Sequence, residues 1–140
     1  MIEIQSGHGD EVAAFLRATD REAISTLYGF RVVWHEQTQE YCARDGEAIV
    51  GALRLRIAAA VGFIEALTVA VTHRRSGIGR LLLKHAEDAA NYYNCHKVSL
   101  QVPTESSVKP FFLACGYRVE ATLPQHAFKK DVDVLRKFLL

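Results

Sequence analysis

A chain of 140 residues, 49% apolar and 24% charged, has the length and composition of one folded domain with a sizeable core. Its formal net charge of +1 lacks the basic excess of a nucleic-acid or membrane-surface binder, and no apolar run reaches membrane-spanning length. Met1-Ile2-Glu3-Ile4 has no signal-peptide character, and Cys42, Cys95 and Cys115 have no metal-ligand spacing and cannot all pair, which implies a cytoplasmic protein with free thiols and no metal.

In chain order, Ile2 and Ile4 flank Glu3 as in a short strand ending at Gly7-His8-Gly9. Asp10 is placed to cap a helix whose inner face is Val12, Phe15 and Leu16. Asp20 is placed to cap a second, bearing Ile24, Leu27 and Tyr28 and stopped by Gly29. Residues 30–39, with Trp34 and His35, carry no clear period. Tyr41-Cys42-Ala43-Arg44, a turn at Asp45-Gly46 and residues 48–56 predict a β-hairpin, and residues 63–71 a third antiparallel strand. A helix is expected from Gly77 to about Tyr93, with Ile78, Leu81, Leu82, Ala86, Ala89 and Ala90 on its inner face and Asn94 as a left-handed stop. Val98, Leu100 and Val102 alternate in a strand that Pro103 ends. Ser107 is expected to cap a helix with Pro110 in its first turn, a stripe of Val108, Phe111, Phe112 and Cys115, and a stop at Gly116. Tyr117, Val119 and Ala121 form the next strand, and residues 126–131 a last short one. Asp133 then caps a terminal helix bearing Leu135, Phe138 and Leu139. No internal repeat or linker interrupts this order.

The chemistry is concentrated in Arg74-Arg75-Ser76-Gly77-Ile78-Gly79, between an apolar strand and an amphipathic helix. A glycine-containing loop that opens a helix presents unpaired backbone N–H groups at the helix's positive end, where phosphate oxygens are the natural ligand. Arg74, Arg75 and Arg80 add cationic charge. The loop is neither a P-loop, whose G-x-x-x-x-G-K-[ST] is absent, nor a dinucleotide fingerprint, whose third glycine is replaced by Leu82. It matches [QR]-x-x-G-x-[GA] through Arg74, Gly77 and Gly79, and so resembles the acyl-coenzyme-A loop of the GNAT superfamily of N-acetyltransferases. The resemblance extends along the chain. Leu67-Thr68-Val69 is similar to the strand segment before that loop, Gly51-Ala52-Leu53-Arg54-Leu55 to a strand carrying Gly and Arg, and Phe111-Phe112-Leu113-Ala114-Cys115-Gly116-Tyr117 to the helix-to-strand signature.

This resemblance implies the GNAT fold, a single α/β (α+β) domain over residues 1–140. Its mixed sheet would have six to seven strands and about four helices, in the order β-α-α-β-β-β-α-β-α-β-β. It also implies transfer of an acetyl group from acetyl coenzyme A to an amine of a small molecule or peptide, with no nucleic-acid or membrane partner; small members are often homodimers. By the same resemblance Leu67, Thr68 and Val69 would contact the pantetheine. Arg74, Arg75, Ser76, Gly77, Ile78, Gly79 and Arg80 would hold the diphosphate, and Phe112 would wall the coenzyme.

An amine such as lysine's is neutral in only on the order of one molecule in a thousand at pH 7, so a positioned base has value. Glu65 is the candidate base. Strand alternation puts it with Phe63, Leu67, Val69 and Val71, on an apolar face that favours a neutral carboxyl; the alternatives are an exposed strand start or an ion pair with Arg54 or Arg56. Family members often carry a tyrosine acid where this chain has Phe112, which cannot donate a proton. Cys115, Tyr117 or water remain as donors. His73 stands at the loop's rim, and His126, Trp34 and Tyr28 are outlying candidates for the acceptor side. The rival reading is a non-catalytic acyl-coenzyme-A-binding module.

Overall fold

A computed structural model of the chain describes residues 1–32 and 36–139. They fall into two compact units, Met1–Trp34 and His35–Leu140.

The first unit holds one helix, α1 (Glu11–Tyr28). The break expected at Asp20 does not occur, because neither Gly nor Pro lies between Glu11 and Tyr28 and an interior Asp costs only a fraction of a kcal/mol (about 0.7 or less). Gly29, at φ 74°, ends the helix and donates its N–H to the carbonyls of Ser25 and Thr26. The strand expected at Ile2 and Ile4 is absent: both are exposed on irregular backbone, and alternation over three residues offers no partner to pair with.

The second unit is built from β1 (Gln37–Asp45), β2 (Ala48–Ala58), β3 (Val61–Val69), a 3-10 turn (Val71–His73), α2 (Ile78–Tyr92), β4 (Lys97–Pro103), α3 (Lys109–Ala114), β5 (Arg118–Ala127) and β6 (Lys130–Phe138). The six strands form one sheet in the order β1-β2-β3-β4-β6-β5, antiparallel except for the β3/β4 pair. The core joins Leu53, Leu55 and Ile57 of β2 and Val98, Leu100 and Val102 of β4 to Leu82, Leu83, Ala86 and Ala90 of α2. Each fully buried Leu or Ile contributes about 1.5–3 kcal/mol. The inner stripe of α2 is turned slightly from the expected one: Leu81 is 71% exposed and Leu83 buried. Asn94, at φ 62°, takes the left-handed conformation after the helix.

Two further expectations are corrected. Val108, not Ser107, occupies the cap position of α3, and the Ser106 hydroxyl accepts the Val108 N–H at 3.3 Å. The terminal helix is instead strand β6, joined to β5 by a tight turn at Phe128 and Lys129, both at positive φ (49° and 61°). Period-2 alternation wins there because Asp133 caps nothing. Only 1% exposed, it accepts from the hydroxyls of Thr104 (2.9 Å) and Thr122 (2.7 Å) and pairs with Lys109 Nζ at 2.5 Å. The result is a mixed α+β fold with six strands and three α-helices among the described residues, one helix and one strand fewer than the fullest expectation.

Candidate active site

The parallel pair β3/β4 is joined at only three rungs, Val61 with Lys97, Gly62 with Val98 and Phe63 with Ser99. Beyond them β3 stays on β2, Leu67 opposite Leu53 and Val69 opposite Gly51, while β4 stays on β6. The two strands therefore splay, and among the described residues no strand pairing uses the facing backbone edges of the second half of β3 and of β4, which leaves them open to an extended ligand apart from the Val69 carbonyl.

The loop at the open end of this V leads into α2. Gly77, at φ 87°, holds a left-handed conformation that L side chains strain to adopt. The first helical bond runs from Leu81 N–H to the Gly77 carbonyl at 3.0 Å, so the N–H groups of Ile78, Gly79 and Arg80 precede the helix's own ladder. Arg74 Nε donates to the Val69 carbonyl at 3.1 Å, and the Ser76 hydroxyl donates to the His73 carbonyl. Gly51 on β2 lets the first turn of α2 come close: a Cβ there would lie 2.9 Å from Ile78 Cγ2 and 3.1 Å from Leu82 Cδ1.

A cavity of about 610 Å³ runs from the splay to this loop. Leu67, Thr68 and Val69 of β3 line one side; Arg74, Arg75, Gly77, Ile78, Gly79 and Arg80 line the loop end; Phe112 stands on the α3 side. Of the residues singled out from the sequence for the coenzyme, Ser76 alone does not line the cavity, because its hydroxyl ties the loop to itself. Three lining residues escaped that assignment: Val108, Phe111 and the rim residue His73. Phe111 was legible as the neighbour of Phe112 in one apolar stripe; their rings meet edge to face at 5.1 Å. His73 is fixed by contacts distant in sequence, Nε2 to the Asp45 carboxylate at 2.9 Å and Nδ1 to the Thr72 hydroxyl at 2.8 Å.

Glu65 is not on the apolar face. In the β2/β3 register Ala66 opposes Arg54 and Ile64 opposes Leu55, so Glu65 is the extra residue of a β-bulge. The bulge shifts the alternation and puts Ile64, not Glu65, in the core. The Glu65 carboxylate is exposed and lies 3.5 Å from Arg56 Nε, just past the last β3/β4 rung.

Phe112 is 5% exposed and packs edge to face on Tyr117 at 5.7 Å. Tyr117 is fully buried and donates its hydroxyl to Glu87 Oε2 at 2.8 Å; burial first, then the Glu87 carboxylate, push its phenol far above the ordinary tyrosine range. Lys137 Nζ donates to both Glu87 oxygens and to the Cys115 carbonyl. Tyr117 is thus committed to a structural network. Cys42 is exposed and Cys95 buried, with burial pushing the Cys95 thiol up. His126 is exposed near the end of β5, and Tyr28 is exposed on α1; Trp34 and His35 lie outside the described residues. Among the described residues no group of three or more His, Cys, Asp or Glu could hold a metal, and no helix is long and apolar enough to cross a membrane.

Comparison with known proteins matches residues 8–117 to the Acetyltransferase (GNAT) family. An uncharacterized N-acetyltransferase of Bacillus subtilis (strain 168), YjcF, is 30% identical over 102 residues, which is 68% of this chain and 71% of that protein. An acetyltransferase from Bacillus cereus ATCC 14579 superposes with a TM-score of 0.78 at 20% identity, covering 99% of this chain and 98% of its own. An acetyltransferase structure from Bacillus anthracis str. Ames, solved in complex with acetyl coenzyme A, gives 0.70 at 18% identity over 74% of this chain and 64% of its own. These two likenesses concern the fold.

Proposed function

The chain belongs to the GNAT family of acetyltransferases, and from that premise we propose that it transfers the acetyl group of acetyl coenzyme A directly to an amine of a small molecule or peptide. The observation that carries this reading is the cavity that joins the β3/β4 splay to the amide-rich start of α2. Its two ends suit the two ends of that donor. The splayed edges offer donors and acceptors to an extended pantetheine, and the backbone N–H groups of Ile78, Gly79 and Arg80 offer donors to a diphosphate. Arg74, Arg75 and Arg80 supply countercharge at that end. Residues 1–140 act as one domain in this reading, the family match running through both units.

The acceptor nitrogen attacks the thioester carbonyl, the C–N bond forms and the C–S bond breaks. Glu65, at the bulge beside the last rung, takes the amine's proton directly or through one water. The sulfur leaves as a thiolate. With Phe112 bare of donors and the Tyr117 hydroxyl committed to Glu87, water protonates it, which a thiolate with a pKa of about 8.5 tolerates. That absence of a phenolic acid favours the second reading, a coenzyme-binding module without turnover.

Isothermal titration with acetyl coenzyme A tests the first step. Micromolar binding, abolished by Gly77→Glu, is the expected result; no binding by the parent chain overturns the proposal. Thiol release on adding amines separates the enzyme from the binding module.

A further inference from the structure

The loop that opens α2 is held in a shape that needs support. After the Ala70 N–H, which donates to the Val50 carbonyl at 2.7 Å, no backbone bond among the described residues ties the chain to the sheet until α2 begins. Within this stretch Arg75 and Gly77 both take positive φ, 60° and 87°. For Arg75, which has a Cβ, that conformation is strained and persists only where the surroundings over-determine it. Two restraints are local: Arg74 Nε donates to the Val69 carbonyl, and the Ser76 hydroxyl to the His73 carbonyl. The second ties the course of the loop to the position of His73.

A third restraint comes from the turn between β1 and β2. The carboxylate of Asp45, where β1 ends, lies 2.9 Å from His73 Nε2, and the Thr72 hydroxyl lies 2.8 Å from Nδ1. An ionised carboxylate only accepts, so Nε2 carries the proton and donates to Asp45; in the neutral ring Nδ1 then accepts from the Thr72 hydroxyl. With both nitrogens engaged, the ring cannot turn without losing a bond. The charge around it is one-sided. His73, Arg74, Arg75 and Arg80 line the cavity, and among the described residues no acid does. By Coulomb's law alone, Asp45 behind His73 weakens the hold on an anion placed there. What it supplies is placement.

We propose that Asp45 is a positioning residue for the coenzyme: through His73 it fixes the loop so that the N–H groups of Ile78, Gly79 and Arg80 meet the diphosphate together. This rests on the coenzyme-binding part of the acetyl-transfer reading. It adds to that site a residue outside the cavity wall, 28 positions before the histidine through which it acts.

The test is titration with acetyl coenzyme A of the parent chain, Asp45→Ala, Asp45→Asn, His73→Ala and the double alanine variant. Side-chain exposures of 72% for Asp45 and 30% for His73 keep these substitutions out of the core. Charge and placement predict opposite signs. Loss of an acid from a basic site tightens the binding of an anion, whereas loss of a positioning contact weakens it. Asp45→Ala is expected to raise Kd about three- to fivefold, the scale of one exposed ion pair. In the His73→Ala background the same change is expected to weaken binding no further, because Asp45 acts through that ring. Asp45→Asn, whose amide oxygen still accepts from Nε2, is expected to bind within about twofold of the parent. Pantetheine, which lacks the diphosphate, is expected to displace acetyl coenzyme A with one inhibition constant in the parent and every variant. The inference is overturned, and the coenzyme site left standing, by any of four results: Asp45→Ala at or below the parent's Kd, Asp45→Asn as weak as Asp45→Ala, equal weakening in both backgrounds, or a pantetheine constant that rises with the coenzyme's. Absence of binding by the parent overturns the coenzyme reading itself, and the inference with it.

Discussion

At the scale of single residues the clearest lesson is Glu65. Sequence alternation put it in an apolar environment, and one inserted residue in β3 turned it out to Arg56 instead. A bulge is not legible in a single sequence, because it depends on which residue the partner strand skips. The role proposed for Glu65 therefore rests on where the bulge stands, at the start of the splay. Glu65→Gln should lower kcat by roughly 10²–10⁴-fold and leave the Kd for acetyl coenzyme A unchanged. Steady-state rates set beside titration check this, and an unchanged kcat removes Glu65 from the mechanism. Tyr117 makes the opposite case. Tyr117→Phe leaves one Glu87 oxygen without its hydroxyl donor, so it should cost about 1–3 kcal/mol in denaturant unfolding while kcat stays within about twofold.

At the scale of elements, α2 and its loop were legible because glycine placement and a 3.6-residue stripe are local signals, and Gly77 and Asn94 mark the two ends as expected. The closing strand was not. The sequence reads residues 126–131 as a short strand and Asp133 as the cap of a terminal helix, because the stripe of Leu135, Phe138 and Leu139 suits one. What decides for strand is remote: β4 on one side, β5 on the other, and three partners for the Asp133 side chain drawn from α3, β5 and the segment after β4. Lys109 first, then Thr122, holds that carboxyl below the ordinary aspartate range. A lowered folded-state value contributes stability that is present above the unfolded pKa, about 3.9, and lost as pH falls through the lower folded one. Melting temperature should therefore fall with pH below about 4, and Asp133→Asn should lower it at neutral pH and flatten that part of the acid limb. An unaltered acid limb in the variant refutes the assignment. Gly51→Val tests the other contact between elements: with its Cβ 2.9 Å from Ile78, it should push the first turn of α2 outward, cost about 1–3 kcal/mol and weaken acetyl coenzyme A binding together with stability.

At the scale of the whole molecule the class of fold was legible, and nearly every residue singled out for the coenzyme lies on the wall of one cavity. The division into units was not. The whole buried core lies within His35–Leu140, while α1 buries none of its residues. Helix stability comes mostly from a packed face, so amide hydrogen exchange should run orders of magnitude faster in α1 than in α2. Equal protection of the two helices contradicts this. The splay between β3 and β4 has a consequence for how such a catalyst would be governed. Held in this cavity as proposed, the carrier would be gripped along its body, at the β3 edge and the phosphate end, by contacts that are the same whether or not it is loaded. On the proposed reading, spent coenzyme A competes with acetyl coenzyme A for one seat at nearly equal strength. The rate then follows the ratio of loaded to empty carrier rather than the amount of either, making the protein a gauge of acetyl supply.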